Sequence, residues 1–191
     1  ETSIDMVSEE GNRYQKVSMA ALKYTDYCVV NEVEGTGVTG IQLYDKDGIK
    51  EENMRKVGKL KELGDKKVGY NNSTACGYGL NCQTGEFVKV PSFKLPKGFI
   101  KGTGAGDAFC SGVLYAAYQR ESIEKALYYG AITAACSLSK EDSTSGVMDL
   151  KEMKLFMKQT YRKVAKDRKN FGDYKIMFIK SGILSIFLFS R

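Results

Sequence analysis

With 191 residues, 42% of them apolar and 27% charged, the chain is sized and composed for one globular domain with its own core. It contains no histidine, which removes Ser-His-Asp hydrolysis, Cys-His chemistry and most zinc sites, so general-base work falls to Asp, Glu, Lys or Tyr. The net charge of +6 has its basic excess in residues 161–169 without aromatic–basic interleaving, which argues against a nucleic-acid partner and mildly favours a small polyanionic ligand. Cysteines 28, 76, 82, 110 and 136 are scattered and form no C-x-x-C pair, as expected of thiols in a reducing cytoplasm. The opening residues 1–5 are polar and do not read as a signal peptide.

In chain order, residues 15–23 read as a short helix with Val17, Met19, Ala20 and Leu22 turned inward. Tyr27-Cys28-Val29-Val30 is a short apolar run of the kind found in buried parallel strands, and it stops at Asn31-Glu32-Val33-Glu34. Residues 53–63 read as a helix ended by Gly64, and residues 67–70 as a weak strand. Residues 79–84 read as a turn, and residues 86–90 alternate like an exposed or edge strand. Pro91 and Pro96 bracket a loop that leads to a glycine-rich segment. Residues 105–120 follow as a helix whose near side is small: Ala108, Ser111, Gly112 and Ala116. Ser122 opens a further helix through Ala126, Tyr129, Ala131, Ala134 and Ala135. Residues 149–163 read as an amphipathic helix with Leu150, Met153, Phe156 and Met157 apolar. Strands alternating with helices predict an α/β fold with a parallel sheet, in which a ligand sits outside the carboxyl ends of the strands. Residues 174–189 are apolar but broken by Lys180 and Gly182, and are shorter than the ~20 residues a membrane span needs. A terminal strand or docked helix is expected there, and no membrane partner.

The densest signal is Gly102-Thr103-Gly104-Ala105-Gly106-Asp107-Ala108-Phe109. Glycines leave backbone N–H groups unshielded, and a helix starting there adds unpaired donors and the positive end of its dipole. The product is an anion cradle suited to phosphate. Asp107 sets a carboxylate beside that cradle, where its task would be to accept a proton from a hydroxyl attacking the phosphate. A dinucleotide-binding turn requires G-x-G-x-x-G, and the spacing fails whether counted from Gly102 or from Gly104. A Walker A loop requires a closing Gly-Lys-Ser/Thr, which is absent. An ordinary glycine-rich turn before a core helix stays open as the plain alternative.

The stretch from Lys101 to Phe109 resembles the second signature of the ribokinase-like (PfkB-type) carbohydrate kinases, with its Gly-Ala-Gly-Asp anion hole. The resemblance implies a three-layer α/β/α, Rossmann-like and mostly parallel sheet. It implies that Asp107 is the catalytic base and that the amides of Gly104, Ala105 and Gly106 form the anion hole. Asn31-x-x-Glu34 followed by Thr39-Gly40 is similar to the family's Asn-x-x-Glu motif, which implies support for Mg²⁺ and the ATP phosphates; helix capping explains the same residues. Thr74 and Gly77 stand where the family has Thr-x-Gly-x-x-Gly at the ATP phosphates, and Ser145-Gly146 stand near its adenine border. The family's first Asp is replaced by Lys101, which cannot hold a monovalent cation; Lys101 either reaches a phosphate or is a solvated surface lysine.

The resemblance covers roughly residues 15–160 and corresponds to the family's carboxyl-terminal half. Residues 1–165 are therefore expected to form its nucleotide-binding part, and 166–191 a tail of unassigned structure. The family's sugar-contacting Gly-Gly motif has no counterpart, since no Gly-Gly occurs in the chain. The expected substrates are a sugar and ATP with Mg²⁺; the alternative is an inactive or merely nucleotide-binding fragment lacking the sugar-binding half. Such a half-sheet would leave an open edge, so self-association or a homodimer is expected.

Overall fold

The computed structural model describes residues 1–6, 13–45, 48–59, 67–71, 76–93, 104–142, 144–153, 155, 174–178 and 186–190. A five-stranded sheet lies at its centre, in the order β1 (Ser3–Asp5), β2 (Tyr27–Asn31), β5 (Lys67–Asn71), β6 (Cys76–Asn81) and β7 (Phe87–Pro91). Strands β1, β2 and β5 pair in parallel; β6 pairs antiparallel with both β5 and β7, so β7 runs in the same sense as the first three. The expected α/β sheet is there, with β6 as its one reversed strand.

Helices cover both faces. Helices α1 (Arg13–Leu22), α2 (Glu32–Thr39) and α3 (Glu51–Gly58) supply one apolar layer: Tyr14, Leu22, Val38, Met54 and Val57 pack with Cys28 and Val30 of β2 and Tyr78 and Leu80 of β6. Helices α4 (Ala105–Tyr118) and α5 (Ile123–Ser137) supply the other: Phe109, Cys110, Val113, Leu127 and Ile132 pack with Val29 and Val90. The period of two in a strand sends Cys28 and Val30 to one layer and Val29 to the other.

Strand β6 shows why the expectation of a turn at residues 79–84 misplaced its start. Tyr78 and Leu80 fill one face, while Gly77 and Gly79 lie on the other. A Cβ on Gly79 would sit 3.0 Å from Ile123 and 3.1 Å from Leu127; one on Gly77 would sit 3.1 Å from Phe109. These glycines let α4 and α5 close onto the sheet, and the turn itself spans residues 82–84. The same close fit joins the two helices: a Cβ on Gly112 would meet the Tyr129 carbonyl oxygen at 2.4 Å.

Other boundaries differ in smaller ways. In α1 Tyr14 and Leu22 are buried and Met19 packs partly buried beside them, whereas Val17 is 64% exposed and Ala20 is also outward. Helix α3 begins at Glu51, two residues before the expected start, because Glu51 and Glu52 occupy its first turn, where acidic charge suits the helix dipole. It ends at Gly58 with Lys59 as its C-cap, short of the expected end at Gly64, which itself lies outside the described residues. Of the amphipathic helix at 149–163, residues 150–153 and 155 are helical, with Leu150 and Met153 packed on the α4–α5 layer. Two two-stranded sheets complete the described structure: β3 (Tyr44–Asp45) with β4 (Gly48–Ile49), and β8 (Tyr174–Phe178) with β9 (Ile186–Ser190), the latter within the apolar tail. No described helix is long and apolar enough to cross a membrane.

Candidate active site

Four strands bring their ends to one edge of the sheet. Asn31 pairs with Asn71 and Asn71 with Gly77; Gly77 in turn pairs with Val90, one residue before the end of β7. Asp5, the last residue of β1, is registered with Val29 and so lies on the α4 face of the sheet. The carboxyl ends of β1, β2, β5 and β7 therefore share this edge, which is the ligand side of an open α/β sheet.

Helix α4 starts above that edge. Gly104 is its N-cap, in the left-handed region at φ 85°, and no side chain caps the helix. Glycine reaches this conformation without the steric penalty of a Cβ. The first bond of the helix runs from the Ala108 N–H to the Gly104 carbonyl at 3.0 Å, so the amides of Ala105, Gly106 and Asp107 precede the helical ladder. A Cβ on Gly106 would meet nothing within 4 Å among the described residues, so packing there does not require a glycine. Asp107 is exposed on this first turn, and its carbonyl accepts the Ser111 hydroxyl at 2.8 Å. Phe109, by contrast, is almost wholly buried and anchors the turn against Gly77 and Gly130.

Asn31 and Glu34 form a complete capping box on α2. The Asn31 Oδ1 accepts the Glu34 N–H at 2.8 Å, and Glu34 Oε2 accepts the Asn31 N–H at 2.9 Å. Capping is thus a demonstrated job of this motif. It also fixes both oxygen-bearing side chains at the carboxyl end of β2, with Glu34 only 4% exposed. Among the described residues no group of three or more His, Cys, Asp or Glu side chains could hold a metal ion directly. An amide and a carboxylate locked together suit an ion that keeps its own waters, as Mg²⁺ does.

The remaining expected residues are distributed differently. Gly77 lies within β6, where it makes room for Phe109. Gly146 is buried, and a Cβ there would strike the Cys136 carbonyl at 2.2 Å, so it closes the loop after α5 by backbone contact. The Ser145 N–H donates to Asp142 at 2.6 Å and the Thr144 N–H donates to the same oxygen at 2.8 Å. The Ser145 side chain first, and then those two amide bonds, hold the Asp142 carboxyl down at about 2. Thr74 and Lys101 lie outside the described residues. None of the five cysteines forms a disulfide.

The sequence reading passed over Asp5. Its carboxyl accepts the neighbouring Met6 N–H at 3.0 Å and lies close to Cys110, one turn along α4 from Asp107. Burial under α4 pushes the Asp5 carboxyl above the usual carboxylate range, and the charges of Asp107 and Glu34 add to that push. The Cys110 thiol is pushed up to about 12, by burial first and then by Asp5 and Asp107, so it stays protonated. The available signal was an acidic residue closing the short strand Ser3–Asp5. A cavity of about 430 Å³ exists elsewhere, between Tyr27, Asn81, Arg120 and Ser122. It lies at the opposite edge of the sheet and contains none of Asp5, Asn31, Glu34 or Asp107, so it is no part of this site.

The fold and this edge define an α/β protein with a helix start lacking a side-chain cap outside the carboxyl ends of parallel strands. The family model of the pfkB family carbohydrate kinases matches residues 3–150, and the chain belongs to that family. The match starts twelve residues earlier than the resemblance read from the sequence, and so takes in β1. A 5-dehydro-2-deoxygluconokinase of Listeria monocytogenes (serotype 4a, strain HCC23) is 34% identical over 77 residues, 40% of this chain and 23% of that protein. The ribokinase of Arabidopsis thaliana, solved with ribose and ATP, superposes with TM-score 0.64 at 19% identity, over 82% of this chain and 46% of that one. The ribokinase of Thermotoga maritima gives 0.60 at 24%, over 75% and 46%. These structures establish the ribokinase fold, and the chain spans less than half the length of each relative.

Proposed function

We propose that these residues form the phosphoryl-transfer part of an ATP-dependent carbohydrate kinase. The observation that carries the reading is the uncapped start of α4, where Gly104 turns the chain and Gly106 opens the amides to solvent. In this reading Asp107 accepts the proton of the attacking sugar hydroxyl. The amides of Gly104, Ala105, Gly106 and Asp107 stabilise charge on the transferred group, where fixed donors need no reorganisation. Asn31 and Glu34 would hold Mg²⁺ through its waters, and the bound ion would offset the charge of the nucleotide phosphates. Ser145 and Gly146 close a loop suited to bordering the adenine, pinned by Asp142. The relative named a 5-dehydro-2-deoxygluconokinase supports a sugar or sugar acid as acceptor.

The share of each relative that the chain covers favours a second reading, in which these residues bind nucleotide without phosphorylating a sugar on their own. Positioning of the acceptor can supply ~7–11 kcal/mol of barrier, and its loss outweighs an intact base and anion hole. A coupled assay over a panel of hexoses, pentoses and sugar acids, run beside calorimetric titration with ATP, separates the two. Saturable turnover supports the kinase reading for this chain. ATP binding without turnover supports the second, and absence of both would count against the site.

A further inference from the structure

The cavity of about 430 Å³ at the opposite edge of the sheet has no task in the phosphoryl-transfer reading, and its volume is that of a small-molecule site. Val29, Val113 and Leu127 line it as a buried apolar wall contributed by β2, α4 and α5. Arg120 and Glu86 line it too, and both are exposed. Among the described residues neither of these side chains forms an ion pair or hydrogen bond, with the other or with any neighbour. Glu121, beside Arg120, is held by Lys125 at 2.6 Å, and Glu1 adds a further carboxylate to the lining. The Asn81 Oδ1 accepts the N–H groups of Gln83 and Thr84 at 3.0 and 3.3 Å, which leaves its Nδ2 as a donor without a partner among the described residues. Opposite charges that line one cavity without meeting leave room between them for a molecule that carries both.

Arg120 also stands where backbone sterics disfavour it. It follows the end of α4 at φ 55°, the one non-glycine residue with positive φ among the described residues. Its N–H donates to the Ala117 carbonyl at 2.9 Å and the Glu121 N–H to the Ala116 carbonyl at 3.0 Å, the pair of bonds of a Schellman motif. Glycine is the usual residue at that position, and an arginine there carries a steric cost that glycine avoids. A residue kept in such a conformation on a cavity wall points to a use for its side chain.

We propose that this cavity binds a small zwitterion with an apolar body, of the α-amino acid class. The ligand carboxylate meets the Arg120 guanidinium and the Asn81 Nδ2, its ammonium meets Glu86, and its side chain lies against Val29, Val113 and Leu127. None of these residues belongs to the cradle, so the site stands apart from the phosphoryl-transfer reading.

The test is calorimetric titration of the full chain at neutral pH with L-leucine and L-phenylalanine. Beside them run the analogues that lack the amino group, isocaproate and hydrocinnamate, and those that lack the carboxylate, isoamylamine and phenethylamine. At least one of the two amino acids should bind saturably, and both of its singly charged analogues should bind more weakly by about three- to tenfold, the scale of a single exposed charge contact. Arg120→Gly should weaken that amino acid by a similar factor while melting at or above the wild-type temperature, because glycine suits the backbone there. Glu86→Gln should weaken it as well. Three results overturn the proposal: neither amino acid binds the wild-type chain saturably, a singly charged analogue binds as tightly as its parent, or affinity is unchanged in both variants.

Discussion

Gly106 is the position where stability and ligand binding should part company. It is exposed at the second position of α4, and a Cβ there meets nothing within 4 Å among the described residues. Alanine is favoured over glycine in a helix interior by about 1 kcal/mol, and by less near a terminus. Gly106→Ala should therefore leave stability unchanged or raise it by up to about 0.5–1 kcal/mol, a Tm rise of at most about 4 °C at this chain length. Gly112→Ala supplies the contrast, because its Cβ would lie 2.4 Å from the Tyr129 carbonyl oxygen and 2.7 Å from Thr133 Oγ1. Backbone of α5 would have to move; overpacking costs roughly 1–3 kcal/mol, only partly offset by helix propensity, so a net loss of about 1–2 kcal/mol is expected. If Gly106 is bare so that phosphate can reach the amides of α4, its new methyl should weaken ATP by at least about tenfold, or ~1.4 kcal/mol. Thermal melts followed by circular dichroism give the first quantity and calorimetric titration with Mg²⁺-ATP the second. A Gly106→Ala protein that melts at or above the wild type and binds ATP with unchanged affinity would refute the reasoning.

Asp107→Asn in an active enzyme should lower kcat by on the order of 10² or more with little change in ATP affinity, since a positioned general base contributes 10²–10⁴-fold; steady-state kinetics checks this, and near-wild-type turnover removes Asp107 from the mechanism. Asn31→Ala breaks the capping box and should cost about 1 kcal/mol by urea denaturation. Glu34→Gln keeps an acceptor for the Asn31 amide but loses the charge, so it should raise the Mg²⁺ concentration needed for half-maximal nucleotide binding, and an overlaid titration curve would contradict the metal role. Asp142, held down at about 2 by Ser145 and Thr144, contributes stability at pH values above its ordinary carboxylate range and loses it as pH falls through about 2; the Ser145 amide shift should follow that titration, and Asp142→Ala should abolish it.

What the sequence made legible follows from how local each signal is. The cradle could be read because its physics sits in consecutive residues: glycines, a helix start and one carboxylate. Strand β2 could be read because both its faces are covered, which leaves an unbroken apolar run from Tyr27 to Val30. Strand β6 escaped because Gly77 and Gly79 look like turn residues until the bulk of Phe109, Ile123 and Leu127 on the far side is known. Val17 was assigned inward because a helical stripe alone does not say which side the sheet will cover, and Tyr14 takes that place. The Asn31–Glu34 pair was read for two roles, and geometry establishes capping while leaving its use toward a metal as a proposal. Asp5 reaches this edge only through pairing that joins residues 24 positions apart, where Ser3–Asp5 lie against Tyr27–Val29, and through the return of α4 above it.

The most direct test of the central claim is a map of backbone amide shifts as Mg²⁺-ATP is titrated into the ¹⁵N-labelled chain. The account predicts saturable shifts at Gly104, Ala105, Gly106 and Asp107, accompanied by shifts at Asp5, Asn31 and Glu34 on the same sheet edge. Shifts confined to the opposite edge, around Tyr27, Asn81 and Arg120, or no saturable shift at all, would contradict it.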